Sequence, residues 1–226
     1  MKNYFPHLSD IIRAKNTLNE VISTTPLIHT FNLSERYDAR ILLKREDLQM
    51  VRSYKIRGAY NKIRSLSPEE LQKGVVCASA GNHAQGVAYS CHKLGIRGTI
   101  YMPTTTPKQK ITQVKFFGRE DIDIVLVGDT FDASSREAIQ YAEQSGKPFI
   151  HPFDDPKIIE GQATVGLEII EAAGTPIDYV FVPIGGGGLA AGISSYFKQV
   201  SPEPRIIGVE PAGAASMRAA FDLGHV

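Results

Sequence analysis

The chain has 226 residues, 42% of them hydrophobic and 22% charged, with a formal net charge of +1. These are the proportions of a soluble globular protein with a sizeable core, and the length suits one large domain or two small ones. Near-neutral charge gives no electrostatic reason for a nucleic-acid or membrane partner. Two cysteines, Cys77 and Cys91, without a CxxC argue against a disulfide framework or structural zinc.

The opening MKNYFPHLSDIIRAKNTL holds no apolar run of signal-peptide or membrane-span length, and a reducing cytoplasm fits. From residue 40 onward short apolar runs alternate with amphipathic ones. RILLKRE reads as a buried strand and SYKIRGAYNKIRSL as the helix after it. Further strands are expected at GVVCASA, GTIYMP, DIDIVLVG, KPFIHPF, YVFVPIGG and RIIGVEP. Between them, three-to-four apolar spacing and closing glycines predict helices. These are GNHAQGVAYSCHKLG, TPKQKITQVKFFG, TFDASSREAIQYAEQSG, IIEGQATVGLEIIEAAG and GGGLAAGISSYFKQV. A sustained βαβα order implies an α/β fold with parallel sheets, right-handed crossovers and helices on both faces. HPFDDPKI is the expected seam between two lobes. After RIIGVEP another helical segment, AASMRAAFDLGHV, begins with no strand behind it. The expectation is an uncovered sheet edge and helix face, as in a shortened chain.

Three stretches carry chemistry. In PIGGGGLAAGI, Gly185, Gly186, Gly187 and Gly188 follow an apolar strand and precede a helix. Backbone without Cβ atoms can approach an anion closely and converge N–H groups on it at the positive helix end, so phosphate is the natural guest. The spacing is neither a Walker A loop nor GxGxxG. In SAGNHAQGVA, Ser79, Gly81, Asn82 and His83 offer a hydroxyl, an amide and free N–H groups at another helix start, a cradle for a carboxylate. An ordinary helix cap by Ser79 or Asn82 is the competing reading. Both turns lie at the C-terminal strand ends, where ligands gather in open α/β sheets. Lys55, in RSYKIRGAYNKI, reads by itself as a solvated surface charge. Beside an anchored phosphate, a partly buried amine suggests capture of a carbonyl, as in pyridoxal phosphate. Six histidines without HExxH spacing give a metal enzyme little support.

Together with TPL, LKREDLQ, MPTTTPKQK, VKFFG, GDTFDAS, HPFDDP, GQATVGLEI and IIGVEP, these stretches resemble the fold-type-II (tryptophan synthase β-like) pyridoxal-phosphate enzymes. Within them the resemblance is to the threonine dehydratase, or threonine ammonia-lyase, family. It implies two open parallel-sheet lobes: an incomplete larger lobe of residues 1–47 and 151–226 with the phosphate loop, and a smaller one of 48–150. It implies that Lys55 holds pyridoxal 5'-phosphate and acts as the base at the substrate Cα. Asn82 would meet the phenolic oxygen, Gly185 to Gly188 and Leu189 the phosphate, and Tyr54 the ring. Ser79, Ala80, Gly81 and Asn82, beside His83, would hold the carboxylate of the amino-acid substrate. The implied reaction turns L-threonine into 2-oxobutanoate and ammonia, in a cytoplasmic enzyme that is a homo-oligomer at full length. The group facing the pyridine nitrogen lies in a portion that this sequence does not hold.

Some relatives bind a divalent cation after the GVEP strand; here the matching positions are Glu210, Ala214 and Ser216, and the serine in place of a carboxylate argues against a metal. A serine dehydratase or racemase shares KIRGA, but Arg52 stands before Ser53 where those enzymes usually have Gly. β-Replacing synthases carry KDR after the lysine, which is missing here. A non-catalytic fragment and a nucleotide-binding α/β domain are the remaining alternatives.

Overall fold

The computed structural model describes residues 4–224. The elements run α1 (Leu8–Leu18), β1 (Leu27–His29), α2 (Phe31–Tyr37), β2 (Leu42–Lys44), α3 (Lys55–Arg64), α4 (Pro68–Lys73) and β3 (Val75–Ala78). Then come α5 (Asn82–Leu94), β4 (Gly98–Met102), α6 (Lys108–Gly118), β5 (Ile122–Leu126) and α7 (Phe131–Ser145). The chain continues through α8 (Pro156–Ala173), β6 (Tyr179–Pro183), α9 (Gly188–Val200), β7 (Arg205–Val209) and α10 (Ser216–Leu223). Among the described residues no helix is long and apolar enough to cross a membrane.

Strands β3, β4 and β5 form a parallel sheet in that order, and β6 pairs with β7, also parallel. Strands β3 and β4 are buried along their whole length, the signature of a sheet covered on both faces. On one face Val75, Cys77, Ile100 and Met102 pack with Ala84, Val87 and Cys91 of α5. On the other, Val76, Ala78 and Tyr101 meet Ala138 and Ala142 of α7. Both cysteines are buried and free, and burial pushes the Cys91 thiol up to about 12. They are small core residues.

Two expectations need correction. KPFIHPF is not a strand; Phe149 makes a single parallel bridge to Val76. Pro148 and Pro152 lack the N–H groups a ladder needs, so pairing stops after Ile150 donates to the Val76 carbonyl. RILLKRE does give β2, but it pairs antiparallel with β1, Leu27 facing Lys44. The short α2 between them has no buried residue, so it covers no sheet and the chain simply reverses. Helices α1, α2 and α4 lie where the sequence pattern was not read as helical. Helix α4 has a plain local cause, since Ser67 Oγ accepts from Glu70 N while Glu70 caps Ser67 N in return.

The β6–β7 sheet differs from the first. Along β6, Val180 and Val182 are buried under α8 and α9, whereas Tyr179 and Phe181 face outward at 51% and 66% exposure. Phe221 and Leu223 on α10 are likewise exposed.

Candidate active site

Lys55 is the first residue of α3, with Tyr54 at the N-cap. The helix is wedged between α5 and α8 at backbone-to-backbone distances. A Cβ on Gly86 of α5 would lie 3.2 Å from the Lys55 carbonyl, and one on Gly161 of α8 would lie 2.5 Å from the Arg57 carbonyl. Glycine is therefore required by proximity, and the small residues in KIRGA and EGQA have a shared cause. The Lys55 side chain is half-buried; its Nζ donates to the Pro152 carbonyl at 2.6 Å and lies 5.6 Å from the centre of the Tyr54 ring. Burial lowers the amine's pKa to about 8, so about a tenth of it is unprotonated at pH 7, far more than for an ordinary lysine.

The segment between Ile150 and Asp155 joins this amine to the glycine loop. Pro152 holds the amine, and the Phe153 ring lies against Gly186, where a Cβ would fall 2.2 Å from ring atoms. The His151 Nδ1 accepts N–H bonds from Phe153 and Asp154 at 3.3 and 2.7 Å, so the ring proton sits on Nε2. Asp155 caps α8 and pairs with Lys62 at 2.8 Å.

The loop itself turns at Gly187, whose φ of +84° suits glycine, and runs into α9. Gly185 and Gly186 are exposed, Gly187 half-buried, Gly188 and Leu189 buried. A Cβ on Gly185 would meet nothing within 4 Å. A cavity of about 380 Å³ adjoins the loop, lined by Phe153, Gly186, Gly187, Ala190, Ser194 and Met217 among others. The first intrahelical bond there is from Ala191 N to the Gly187 carbonyl, which leaves the earlier N–H groups of the turn for a guest.

At the other turn Ser79 Oγ accepts from Gly81 N at 3.1 Å. Ser79, Ala80 and Gly81 are half-buried and Asn82 is exposed at the start of α5. His83 points inward. Its Nε2 donates to the Ile150 carbonyl at 2.9 Å, its Nδ1 is buried without a partner, and burial with the nearby Lys55 charge lowers its pKa to about 3. The imidazole is thus neutral and close enough to the amine to feel its charge, and His83 offers the turn its backbone N–H. The whole donor set, a carbonyl-seeking amine with two N–H-rich turns, fits an aldehyde that carries a phosphate.

The sequence model of a family described as "Pyridoxal-phosphate dependent enzyme" matches residues 18–226. The chain belongs to that family. L-threonine dehydratase biosynthetic IlvA of Halalkalibacterium halodurans is 56% identical over 219 residues, covering 97% of this chain and 53% of the relative. The processed form of threonine deaminase isoform 2 from Solanum lycopersicum superposes with a TM-score of 0.89 at 44% identity, over 99% of this chain and 62% of that one. Maize serine racemase superposes with a TM-score of 0.92 at 31% identity, over 99% and 67%. The chain spans about half the length of the curated relatives it matches.

Within this family member, Glu210 serves the local backbone, and both its carboxylate oxygens accept N–H bonds, from Met217 and Arg218, each at 2.9 Å. Ala214 closes a short 3-10 turn and Ser216 opens α10. Among the described residues no group of three His, Cys, Asp or Glu is placed to hold a metal ion. Sequence reasoning missed His151, Pro152 and Phe153 as parts of the site. The one local signal was the Asp155-Pro156 helix start, which fixes where the segment must end. It also missed Arg57, which was assigned no role of its own and is fully buried.

Proposed function

We propose that this chain carries the cofactor site of an enzyme that deaminates L-threonine to 2-oxobutanoate and ammonia. The observation that carries the reading is the half-buried Lys55 amine, tied through Pro152 and Phe153 to the glycine loop. Lys55 would hold the cofactor through its aldehyde. Gly185, Gly186, Gly187, Gly188 and Leu189 bind the phosphate through backbone N–H groups at the positive end of α9. Asn82, exposed at the start of α5, would meet the cofactor's phenolic oxygen, and Tyr54 would lie beside its ring. Ser79, Ala80, Gly81 and Asn82, with the His83 N–H, hold the substrate carboxylate.

Bound there, pyridoxal phosphate supplies an electron sink for the charge left at the substrate Cα. Lys55 Nζ is the base that takes the Cα proton, and a pKa near 8 suits it to that role at cellular pH. His83 stays neutral and adds no charge that would compete for the proton. Tyr54, whose ring centre lies 5.6 Å from the amine, helps to screen it from water, which strengthens the fixed dipoles around it.

The same reading places residues 1–47 with 151–226 in one lobe and 48–150 in another. It also makes the enzyme cytoplasmic and a homo-oligomer. Support for threonine comes from the identity to the threonine dehydratases, and the serine racemase likeness makes serine the runner-up. Addition of pyridoxal phosphate should give an absorbance band that is absent in Lys55→Ala, and borohydride should fix the adduct to the Lys55 peptide. Ketoacid should form faster from L-threonine than from L-serine. No Lys55-dependent band would refute the site, and faster pyruvate release would refute the substrate.

A further inference from the structure

Arg57 is 0% exposed, and its guanidinium makes five N–H bonds. Nε and Nη2 meet the two oxygens of Glu46 at 2.8 and 2.7 Å. Nη1 and Nη2 meet the two oxygens of Glu168 at 2.7 and 2.9 Å, and Nη1 also donates to Thr164 Oγ1 at 3.0 Å. That exhausts its donors. Lys44 pairs with Glu168 and donates to the Thr25 carbonyl at 2.6 Å, while Thr25 Oγ1 donates to Glu46 at 2.5 Å. Two cations therefore face two carboxylates, and the cluster is neutral. It joins β2, the turn after it, α3 and α8.

Such a cluster is a poor device for stability alone, because apolar side chains of the same volume hold a core as well without the desolvation cost. What a planar guanidinium gripped on both sides does supply is a defined orientation. Arg57 and Lys55 are two residues apart on α3, about 200° around the helix, so gripping one fixes the direction of the other. The grip is on α8, and α8 packs against α9, the helix that the glycine loop opens. A Cβ on Gly192 of α9 would lie 2.7 Å from Ala163 N and the Ile159 carbonyl of α8, so these helices also meet backbone to backbone. Amine and loop are thereby measured from one shared helix.

We propose that Arg57 is a positioning residue: held by Glu46 and Glu168, it sets the rotation of α3 on α8 and so the place of the Lys55 amine relative to Gly185–Gly188. This rests on the reading of Lys55 as the amine that captures the cofactor. The groups around that amine are Tyr54, His83 and His151, none of them in the Arg57 cluster.

The test compares Arg57→Lys and Glu168→Gln with Ala138→Gly. Ala138 lies on α7, across the β3–β4 sheet from α5, and lowers stability without touching α3. Two quantities are read: pyridoxal phosphate affinity, and the pH midpoint of Lys55 acetylation in cofactor-free protein, followed by peptide mass. Arg57→Lys and Glu168→Gln should weaken cofactor affinity by about tenfold, as small misplacements of reacting groups do. They should also move the acetylation midpoint from about 8 toward the ordinary 10.5 as water reaches the amine. Ala138→Gly should leave both readings unchanged. Unaltered readings in Glu168→Gln, which keeps the shape of the side chain, would overturn the proposal. So would equal shifts in Ala138→Gly, since the cluster would then act through stability alone. A wild-type protein with no Lys55-dependent band would refute the cofactor reading instead, and the acetylation midpoints would still decide the role of Arg57.

Discussion

The two sides of the site are built differently. Around Lys55 the backbone of α3 touches α5 and α8 directly, and a neutral ion cluster locks the far side of the helix. Around the glycine loop, Gly185 and Gly186 are exposed and the outer face of β6 is open. On the proposed reading the amine handles a proton and must be held within a fraction of an ångström, and close packing supplies that. A phosphate carries its own charge to a row of N–H groups and needs space more than rigidity. Substitutions on the two sides should therefore fail in different ways.

The largest effect belongs to the packed side. Gly161→Ala puts a methyl 2.5 Å from the Arg57 carbonyl and about as close to Gly58 Cα, both rigid backbone. Overpacking of this kind costs about 1–3 kcal/mol, which should appear as a lower midpoint in urea unfolding with little change in slope. An unchanged midpoint would show that α3 and α8 separate freely, and the comparison would break.

A pH effect of similar size comes from His83. Its folded pKa, about 3, lies below its ordinary 6.5, so between those values the unfolded chain holds a proton that the folded one refuses. Stability must fall as pH falls through that window, by about 1.4 kcal/mol per pH unit while the difference is a full proton. Melting temperatures between pH 6.5 and 5, above the range of ordinary carboxylates, isolate the effect. His83→Gln keeps a donor for the Ile150 carbonyl and should flatten the decline. A slope that survives the substitution would assign it to other groups, His151 first, since burial lowers that pKa too.

The open side was the more legible in the sequence. Four glycines between an apolar strand and a helix admit few readings, and the loop lies where the pattern put it. The alternation of strands and helices from β3 to α7, and again from α8 to α9, was equally plain, because period and breakers are local properties. What local pattern cannot show is a contact made across the chain. Lys55 meets Pro152 and Arg57 meets Glu168, residues 97 and 111 positions away. In the sequence Arg57 is one of many cations, and only the fold surrounds it with carboxylates. KPFIHPF misled for the converse reason: its apolar period is strand-like, but its prolines withhold the N–H groups that pairing needs. The Ser67-Pro68 start of α4 was missed, although Ser67 followed three residues later by Glu70 is the capping pattern that would have found it.

The smallest effect on stability belongs to the open side, and it gives the sharpest contrast. At Gly185 a Cβ would meet nothing within 4 Å, and the residue is exposed. Gly185→Ala should therefore leave stability within about 0.5 kcal/mol of wild type, as surface changes usually do. On the proposed reading its methyl nevertheless crowds the approach of the phosphate to the loop amides, so pyridoxal phosphate should bind more weakly while the unfolding midpoint stays put. Gly161→Ala should do the reverse in proportion, with stability falling first and affinity following through displacement of Lys55. Titration of cofactor absorbance beside urea unfolding, on both variants, separates the two. Equal affinity in Gly185→Ala and wild type would mean that the loop is a plain strand-to-helix turn, and the phosphate would have to be held elsewhere.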